Sequence, residues 1–504
     1  MGMDKHAVPV LVGVSQLICR EKTVEQMDPL KMMVEAARNA ALDAAIDDIS
    51  RIDTVYVVNC LSKKLTDPAQ GLSMGFACTP VETGYSSIGG TAPQWLVNRA
   101  AERIYHGSSE IVLICGAEAL YTHGKPRSMD RAISDFMDEL RLGGDLPYMG
   151  DTRSPVSNIE QQYGMETPVK AYALIENALR AHQNMAMEDH FQELCSFCAN
   201  LSDIASRNPF AWAQEAKTAR EIGTLNELNR MIAFPYTKFM CSNLVVNQAA
   251  ALIMTNLAKA EALGIPRDKM VFLRGFGDDE DVWFVSERPD LWASPSVRTA
   301  VYQALAQAHL SIDEVKYLDF YSCFPSPPRI TREMLGLSKT DSRPLTVTGG
   351  MSSFGGPGNN YTMHAICTMI EKLRKDPDAL GLVEALSWFV SKHSVGLYSG
   401  SPGDIPWVPA KGGNLKGDIQ ECEPVKVVEE AGGRGRVESY TILYKRDGDP
   451  YEGVVIGREA SNNRFLAKVR PEKGLLEAMT RDDIIGIQGR VEYDPSNAIN
   501  WFYL

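Results

Sequence analysis

The chain has 504 residues, of which 44% are hydrophobic and 23% are charged, as is ordinary for globular proteins. One hydrophobic core rarely serves so long a chain, so two to four domains are expected. The formal net charge of −13 argues against a nucleic-acid binder, and no apolar run approaches the about 20 residues that cross a bilayer. No signal-peptide pattern is present, and ten cysteines are too sparse for a disulfide scaffold. We therefore expect a cytoplasmic protein with no nucleic-acid or membrane partner.

A helix–turn–strand pattern occurs twice, because residues 34–60 match residues 297–323 without gaps. Each copy has an amphipathic helix and then an apolar strand, Thr54–Val58 in the first and Tyr317–Tyr321 in the second. Matched pairs extend along both copies: Val34 with Val297, Ala41 with Ala304, Ile52 with Val315, and Cys60 with Cys323. Helices that alternate with apolar strands predict parallel sheets covered on both faces. The pattern indicates a duplicated α/β unit.

Composition divides the chain into four segments. Residues 1–270 form the first α/β half, and the excursion at 121–237 within it is long enough to carry its own structure. Residues 271–399 form the second half, and the Gly- and Pro-rich residues 400–417 form a linker. Residues 418–504 contain short strand-like runs joined by Asp-Gly and Asn-Asn turns, which predict a small antiparallel barrel.

Glycine pairs precede a helix in each half. Gly89-Gly90 falls on Gly355-Gly356 at an offset of 266 residues, close to the first offset. A glycine-rich turn that opens a helix exposes backbone N–H groups at the positive end of the helix dipole. Such turns can hold an anion or an oxyanion, so Gly89, Gly90, Gly355 and Gly356 are predicted to contact substrate.

The stretch 349–358, with the predicted strand Pro344–Val347 before it and a predicted helix after it, closely resembles the catalytic loop of the thiolase superfamily. In that family a Gly-His-Pro step supplies an active-site histidine, whereas Gly356 stands at this position here. The resemblance implies a duplicated thiolase fold, with two βαβαβ halves packed in five layers (α/β/α/β/α), plus a C-terminal OB-like antiparallel β-barrel. It further implies coenzyme A as a co-substrate without a tightly bound cofactor or metal, and an acyl-CoA or β-keto acyl ligand. The resemblance is also compatible with a homodimer.

The resemblance also exposes a second missing group. The nucleophilic cysteine of a thiolase belongs at the start of the helix after residues 85–90, and Gly89 or Gly90 occupies that position. Without this cysteine and the histidine, the ordinary covalent thiolysis is expected to be absent.

Four residues are candidates for the remaining chemistry. Tyr321 and Cys323 lie in a segment, Tyr-Ser-Cys-Phe, that resembles the thiolase element after a buried parallel strand, where α/β sheets place their sites. His393 falls near the loop that carries the second thiolase cysteine, and Tyr361 follows the glycine-rich turn. The alternative for Cys323 is a buried small hydrophobic side chain, and for His393 a structural histidine.

Three functions are compatible with these residues. The leading hypothesis is a thiolase-like acyl-CoA enzyme (acetyl-CoA acetyltransferase-like) that performs Claisen or retro-Claisen chemistry, or CoA-dependent cleavage of a β-keto acyl substrate, without a covalent acyl-enzyme. A second is a retro-aldolase that acts on β-hydroxyacyl-CoA through Tyr321 and Tyr361. A third is a non-catalytic acyl-CoA-binding protein.

Overall fold

The computed structural model describes residues 4–20, 27–123, 148–409 and 423–504. Residues 410–417 of the predicted linker and 124–147 of the predicted excursion lie outside the described residues. No helix in the described ranges is both long and apolar enough to cross a membrane.

The described part of the chain contains seventeen β-strands. They are β1 Pro9–Ile18, β2 Thr54–Val57, β3 Glu82–Ser86, β4 Ile111–Ala119, β5 Tyr148–Met149, β6 Met231–Ala233, β7 Tyr236–Thr237, β8 Asn247–Asn256, β9 Val271–Glu280, β10 Tyr317–Phe320, β11 Leu380–Ser387, β12 Lys392–Ser399, β13 Gly433–Tyr444, β14 Pro450–Glu459, β15 Arg464–Val469, β16 Gln488–Asp494 and β17 Ile499–Tyr503.

Twelve α-helices accompany these strands in the same ranges. They are α1 Pro29–Asp43, α2 Pro68–Phe76, α3 Ala92–Tyr105, α4 Asn158–Gln162, α5 Pro168–His182, α6 Met187–Ser206, α7 Ala219–Gly223, α8 Leu257–Ala262, α9 Pro295–Ala308, α10 Ser326–Met334, α11 Tyr361–Lys375 and α12 Lys473–Met479.

Ten strands form one sheet in the order β10-β11-β12-β9-β1-β8-β4-β2-β3-β5. The halves meet at its centre, where β1 and β9 pair antiparallel with Val10 opposite Phe272. Outward from β1 the order is β8, β4, β2, and outward from β9 it is β12, β11, β10, so equivalent strands stand at equivalent places. Cys60 and Cys323 each lie three residues beyond the last residue of an equivalent strand, β2 and β10. The structure thus confirms the predicted duplicated α/β fold.

Helices α3 and α11 form the central layer. They contact each other, and each packs against strands of both halves. Helix α1 covers the strands of the first half on the outside, and α9 covers those of the second. The five layers are therefore helix, sheet half, two central helices, sheet half and helix.

The outer helices pack very closely on their strands. A Cβ at Gly13 of β1 would lie 2.1 Å from the carbonyl oxygen of Ala40 in α1, and a Cβ at Gly275 of β9 would lie 2.1 Å from that of Ala304 in α9. Both contacts are possible only without a side chain on the strand and with a small residue on the helix. The same solution in both halves fixes the thickness of the two outer layers.

The tail forms a closed five-stranded barrel, because β14, β15, β17, β16 and β13 pair in sequence and β13 pairs with β14. Its interior holds buried aromatic and aliphatic side chains, among them Tyr440, Phe465 and Phe502. Strand β13 also pairs with β6, where Leu443 lies opposite Ala233. The barrel is therefore joined to the excursion in the first half by backbone pairing.

The predicted strand Pro344–Val347 is wrong. Only the carbonyl of Leu345 bonds to the neighbouring strand, accepting from Phe320 N–H at 2.9 Å. The carboxylate of Asp319 accepts the N–H groups of Val347 (2.8 Å) and Thr348 (3.1 Å). A side chain thus takes the donors that a strand would use, and the segment turns towards the glycine-rich stretch instead.

Candidate active site

A cavity of about 650 Å³ lies at the carboxyl ends of β10 and β11 and extends under the excursion. Its walls are mostly apolar, and they include Ile88, Val169, Phe324, Leu386, Trp388 and Phe389. Four of the predicted site residues line it: Gly89, Gly90, Tyr321 and Cys323. A large apolar cavity with few converging polar groups is the usual form of a small-molecule site.

The turn before α3, which lines this cavity, has a backbone donor at Gly90 that is unpaired among the described residues. Gly89 N–H donates to Asn359 Oδ1 (2.9 Å), and Thr91 N–H donates to Ser387 Oγ (2.9 Å). Gly90 N–H, between them, has no hydrogen-bond partner among the described residues. Because it stands at the start of a buried helix, it can donate to an oxygen that carries negative charge.

The hydroxyl of Tyr321 lies directly against Gly90. An ideal Cβ at Gly90 would be 2.4 Å from the Tyr321 hydroxyl oxygen and 2.4 Å from the Leu386 carbonyl oxygen. Burial, with the neighbouring Cys323 thiol, raises the pKa of Tyr321 well above its usual value, so the phenol is a neutral donor at pH 7. Tyr321 therefore occupies the volume that a side chain at Gly90 would need.

We expect Gly90→Ala to lower the free energy of unfolding by about 1–3 kcal/mol, because the added methyl meets both Tyr321 and a backbone carbonyl. Urea unfolding measures the loss. Gly474→Ala is the matched control, since nothing lies within 4 Å of a Cβ at that helix position. Equal stability of the two variants would contradict the contact between Tyr321 and Gly90.

Cys323 is a neutral thiol in this environment. Burial raises the pKa of the Cys323 thiol to about 12. The thiolate is the nucleophilic form of cysteine, so Cys323 is not an activated nucleophile at neutral pH. A neutral thiol can still donate a proton.

Alkylation tests this assignment. At pH 7.5 we expect iodoacetamide to modify Cys323 in the folded protein at least about 100-fold more slowly than in urea, because so little thiolate is present. The rate should rise with pH well beyond pH 9, since deprotonation is completed only near the raised pKa. Peptide mass spectrometry measures both rates. Fast labelling with a midpoint below pH 8 would show an activated thiolate instead.

His393 lies outside the main cavity. It lines a second cavity of about 380 Å³, which shares Ile88 and Gly89 with the first. Its Nδ1 is 2.7 Å from Glu384 Oε1, and its Nε2 is 2.9 Å from Ser294 Oγ. Glu384 in turn accepts the N–H of Tyr321 (2.9 Å). His393 is thus connected to Tyr321 through a carboxylate, and both its ring nitrogens are engaged.

Tyr361, Gly355 and Gly356 are not among the residues that line the main cavity. The Tyr361 hydroxyl is 2.6 Å from Thr348 Oγ1, and its ring packs edge-on against Tyr321. Gly356 N–H already donates to the carbonyl of Asn243 (2.8 Å). The structure brings Gly89, Gly90, Tyr321 and Cys323 together at the cavity, whereas Tyr361, Gly355 and Gly356 do not line it, so their site roles stay predictions.

Sequence reasoning missed several polar residues that line the cavity, and two of them bond to the backbone around it. Asn359 bonds Gly89 N–H and donates from Nδ2 to the carbonyl of Asn59 (2.9 Å), so it joins the two halves. The hydroxyl of Tyr172 donates to the Trp388 carbonyl (2.5 Å). Asn359 directly follows the glycine-rich stretch 349–358, and this position in the sequence could have identified it as a site residue. Tyr172 lies inside an apolar helical pattern that gives none.

The matches with known proteins include one that covers the whole chain. The family "Thiolase-like protein type 1 additional C-terminal domain" matches residues 414–496. The crystal structure of a monomeric SCP2-thiolase like protein type 1 from Mycobacterium smegmatis is 31% identical, with 100% of both chains covered and a TM-score of 0.84. No curated protein sequence matches the chain significantly.

Two more distant structures share the fold. An acetyl-CoA acetyltransferase from Syntrophomonas wolfei is 16% identical over 78% of this chain and 99% of its own, with a TM-score of 0.56. The Ltp2-ChsH2(DUF35) aldolase is 15% identical over 79% of this chain and 99% of its own, with a TM-score of 0.62. At these identities the likeness concerns the fold alone.

Proposed function

The chain belongs to the SCP2-thiolase-like proteins of type 1, in the thiolase superfamily, and on that premise we propose that it acts on acyl groups carried by coenzyme A. The proposed reaction is carbon–carbon bond cleavage or formation next to a thioester, without a covalent acyl-enzyme. Coenzyme A is a co-substrate in this proposal and not a resident cofactor.

The observation that supports this proposal most directly is the pair of donors at Gly90 N–H and the Tyr321 hydroxyl. They adjoin one another in a cavity whose other walls are mostly apolar. Two preorganised donors in a water-poor site stabilise an oxygen that becomes negatively charged in the transition state. An enolate of a thioester develops such an oxygen.

The proposed reaction uses the hydrogen-bond donors and the neutral thiol of the cavity. In retro-Claisen cleavage, the thiolate of free CoA adds to the β-carbonyl carbon, and the Cα–Cβ bond then breaks. The electron pair of that bond becomes the thioester enolate, whose oxygen accepts hydrogen bonds from the Tyr321 hydroxyl and from Gly90 N–H. Cys323 as a neutral thiol donates its proton to Cα, and the resulting thiolate is reprotonated from solvent. No side chain has to carry the acyl group.

The retro-aldolase alternative also uses the Tyr321 hydroxyl in the cavity, but the Tyr361 hydroxyl that it needs is bonded to Thr348 behind the wall. This placement favours the β-keto reaction over the tyrosine-pair reaction.

A substrate panel tests the proposal with the full-length protein. We expect cleavage of β-keto acyl-CoA in the presence of free CoA, without an acylated protein in acid-quenched samples measured by intact mass spectrometry. Cleavage of 3-hydroxyacyl-CoA alone would support the retro-aldolase. Tight CoA binding without turnover of any thioester would indicate a binding protein, and an acyl adduct on a cysteine would overturn the direct route.

A further inference from the structure

Tyr172 of α5 and Cys323 both line the main cavity. The Tyr172 ring stacks on Phe324, the residue after Cys323, with ring centroids 4.7 Å apart. The Tyr172 hydroxyl donates to the Trp388 carbonyl (2.5 Å), and it is also hydrogen-bonded to the Cys323 thiol. A phenol has only one O–H, so this donor lies between two partners, a backbone carbonyl and a sulfur atom.

The surroundings of Cys323 act on its thiolate form in opposite directions. Burial raises the pKa of the thiol most strongly, and the Glu384 carboxylate raises it further. Hydrogen bonds with the Tyr172 hydroxyl and with Phe324 N–H lower it, because both groups can donate to a negatively charged sulfur. Of these two donors only Tyr172 uses its side chain, so a substitution can remove its contribution alone.

The proposed reaction places a negative charge on this sulfur. When the Cys323 thiol gives its proton to Cα, the electron pair of the S–H bond stays on sulfur. The phenol hydrogen can then rotate about the C–O bond of Tyr172, away from the Trp388 carbonyl and towards the sulfur, without movement of heavy atoms. Hydrogen bonds to an ionised acceptor are about twice as strong as those between neutral groups, so this rotation is favourable once the proton has left.

We propose that Tyr172 donates a hydrogen bond to the Cys323 thiolate that forms during the reaction, and that it thereby makes Cys323 an effective acid towards Cα. The inference rests on the proposed function, in which Cys323 supplies that proton. Burial raises the pKa of Tyr172 well above its usual value, so the phenol stays protonated throughout. Tyr172 is thus a positioning residue, which acts through the sulfur and does not have to contact the substrate.

Alkylation of Cys323 by iodoacetamide at pH 9 tests this interaction without any turnover. Tyr172→Phe keeps the ring on Phe324 and removes the donor, which should lower the thiolate fraction of Cys323 about 10- to 100-fold, as the loss of one hydrogen bond to a charged group allows. A more basic thiolate is also more nucleophilic, so the alkylation rate should fall by about 3- to 10-fold. Peptide mass spectrometry measures the rate.

A second tyrosine and a second cysteine provide the controls. Tyr236 also stacks on Phe324, but its hydroxyl bonds Glu176 (2.8 Å), so Tyr236→Phe should leave the alkylation of Cys323 unchanged. Cys241 lines the same cavity. Its alkylation rate in the same samples should be equal in all three proteins, which shows that each variant is folded and that access to the cavity is preserved.

Turnover of a β-keto acyl-CoA then tests the role in the reaction. Tyr172→Phe should lower kcat by about 3- to 10-fold with little change in KM, because the effect arises only when the thiolate forms. Unchanged alkylation of Cys323, equal slowing of Cys323 and Cys241, or full turnover in Tyr172→Phe would each overturn the assignment of Tyr172 and leave the proposed function standing. Wild-type protein that cleaves no thioester would instead overturn the proposed function, and with it the role of Tyr172, whatever the alkylation rates.

Discussion

Arg329→Met is expected to lower the free energy of unfolding by about 3–5 kcal/mol, because it leaves a buried carboxylate without its counter-ion. Arg329 contacts Glu176 Oε1 and lies 3.0 Å from Glu193 Oε1, and the side chains of Arg329 and Glu176 are 1% and 0% exposed. Glu176 also accepts from Tyr236 (2.8 Å). Although burial opposes it, Arg329 and then His190 lower the pKa of Glu176 to about 2. The cluster joins α5, whose Tyr172 lines the main cavity, to α6 and α10.

Arg332→Met is the control, since Arg332 lies on the same helix and has no ion pair within 4.0 Å among the described residues. Urea midpoints of both variants measure the difference. The pH dependence of the stability difference provides a further check. Because the pKa of Glu176 is lowered from 4.5, its contribution is complete above about pH 4.5 and is lost as the pH falls towards 2. A wild-type advantage over Arg329→Met that does not shrink in that window would contradict the ion-pair account.

Tyr321→Phe is expected to lower turnover of the β-keto thioester by about 10²–10³-fold, the usual loss when one donor to a developing oxyanion is removed. The ring that fills the space beside Gly90 remains, so packing and CoA affinity should change little. Steady-state kinetics with a saturating substrate measures kcat, and calorimetry with CoA measures the affinity.

Two other tyrosines make the test specific. Tyr398→Phe removes a buried hydroxyl that bonds Gln94 away from the cavity, and it controls for the loss of any buried tyrosine hydroxyl. Tyr361→Phe separates the mechanisms, since a tyrosine-pair retro-aldolase loses activity in both the Tyr321 and the Tyr361 variant. If Tyr321→Phe keeps full turnover, the Tyr321 hydroxyl is not a donor to the oxyanion, and the main support for the proposed function is lost.

The fold was predictable because the same helix–strand pattern occurs twice in the sequence. The two matches at nearly equal offsets give the helix–strand order of each half, and the sheet repeats it outward from β1 and β9. The prediction of a strand at Pro344–Val347 was wrong because a side chain there replaces backbone pairing. The backbone N–H groups of Val347 and Thr348 donate to the Asp319 carboxylate. Neither local propensity nor hydrophobic periodicity reveals that this carboxylate lies beside the segment.

The site was predictable only in part. Cys323 and Tyr321 could be placed because a strand end in an α/β sheet is a usual location for site residues. Which polar atoms reach the cavity depends on contacts between distant segments. His393 is two strands from Tyr321 in the pairing order and turns into the smaller cavity, while Asn359 reaches across to Gly89 from the opposite half. Such contacts are not visible in periodicity or spacing.

The contact between Tyr321 and Gly90 constrains how this protein can evolve. A cysteine at position 90 meets the Tyr321 hydroxyl and the Leu386 carbonyl, so the first step towards a covalent mechanism is harmful while Tyr321 is present. Loss of Tyr321 first removes the donor on which the proposed mechanism depends. Each change is then deleterious without the other, which is reciprocal sign epistasis, and the Leu386 backbone demands a further adjustment. A protein with this tyrosine against Gly90 is therefore not expected to acquire a cysteine nucleophile at position 90 by single substitutions.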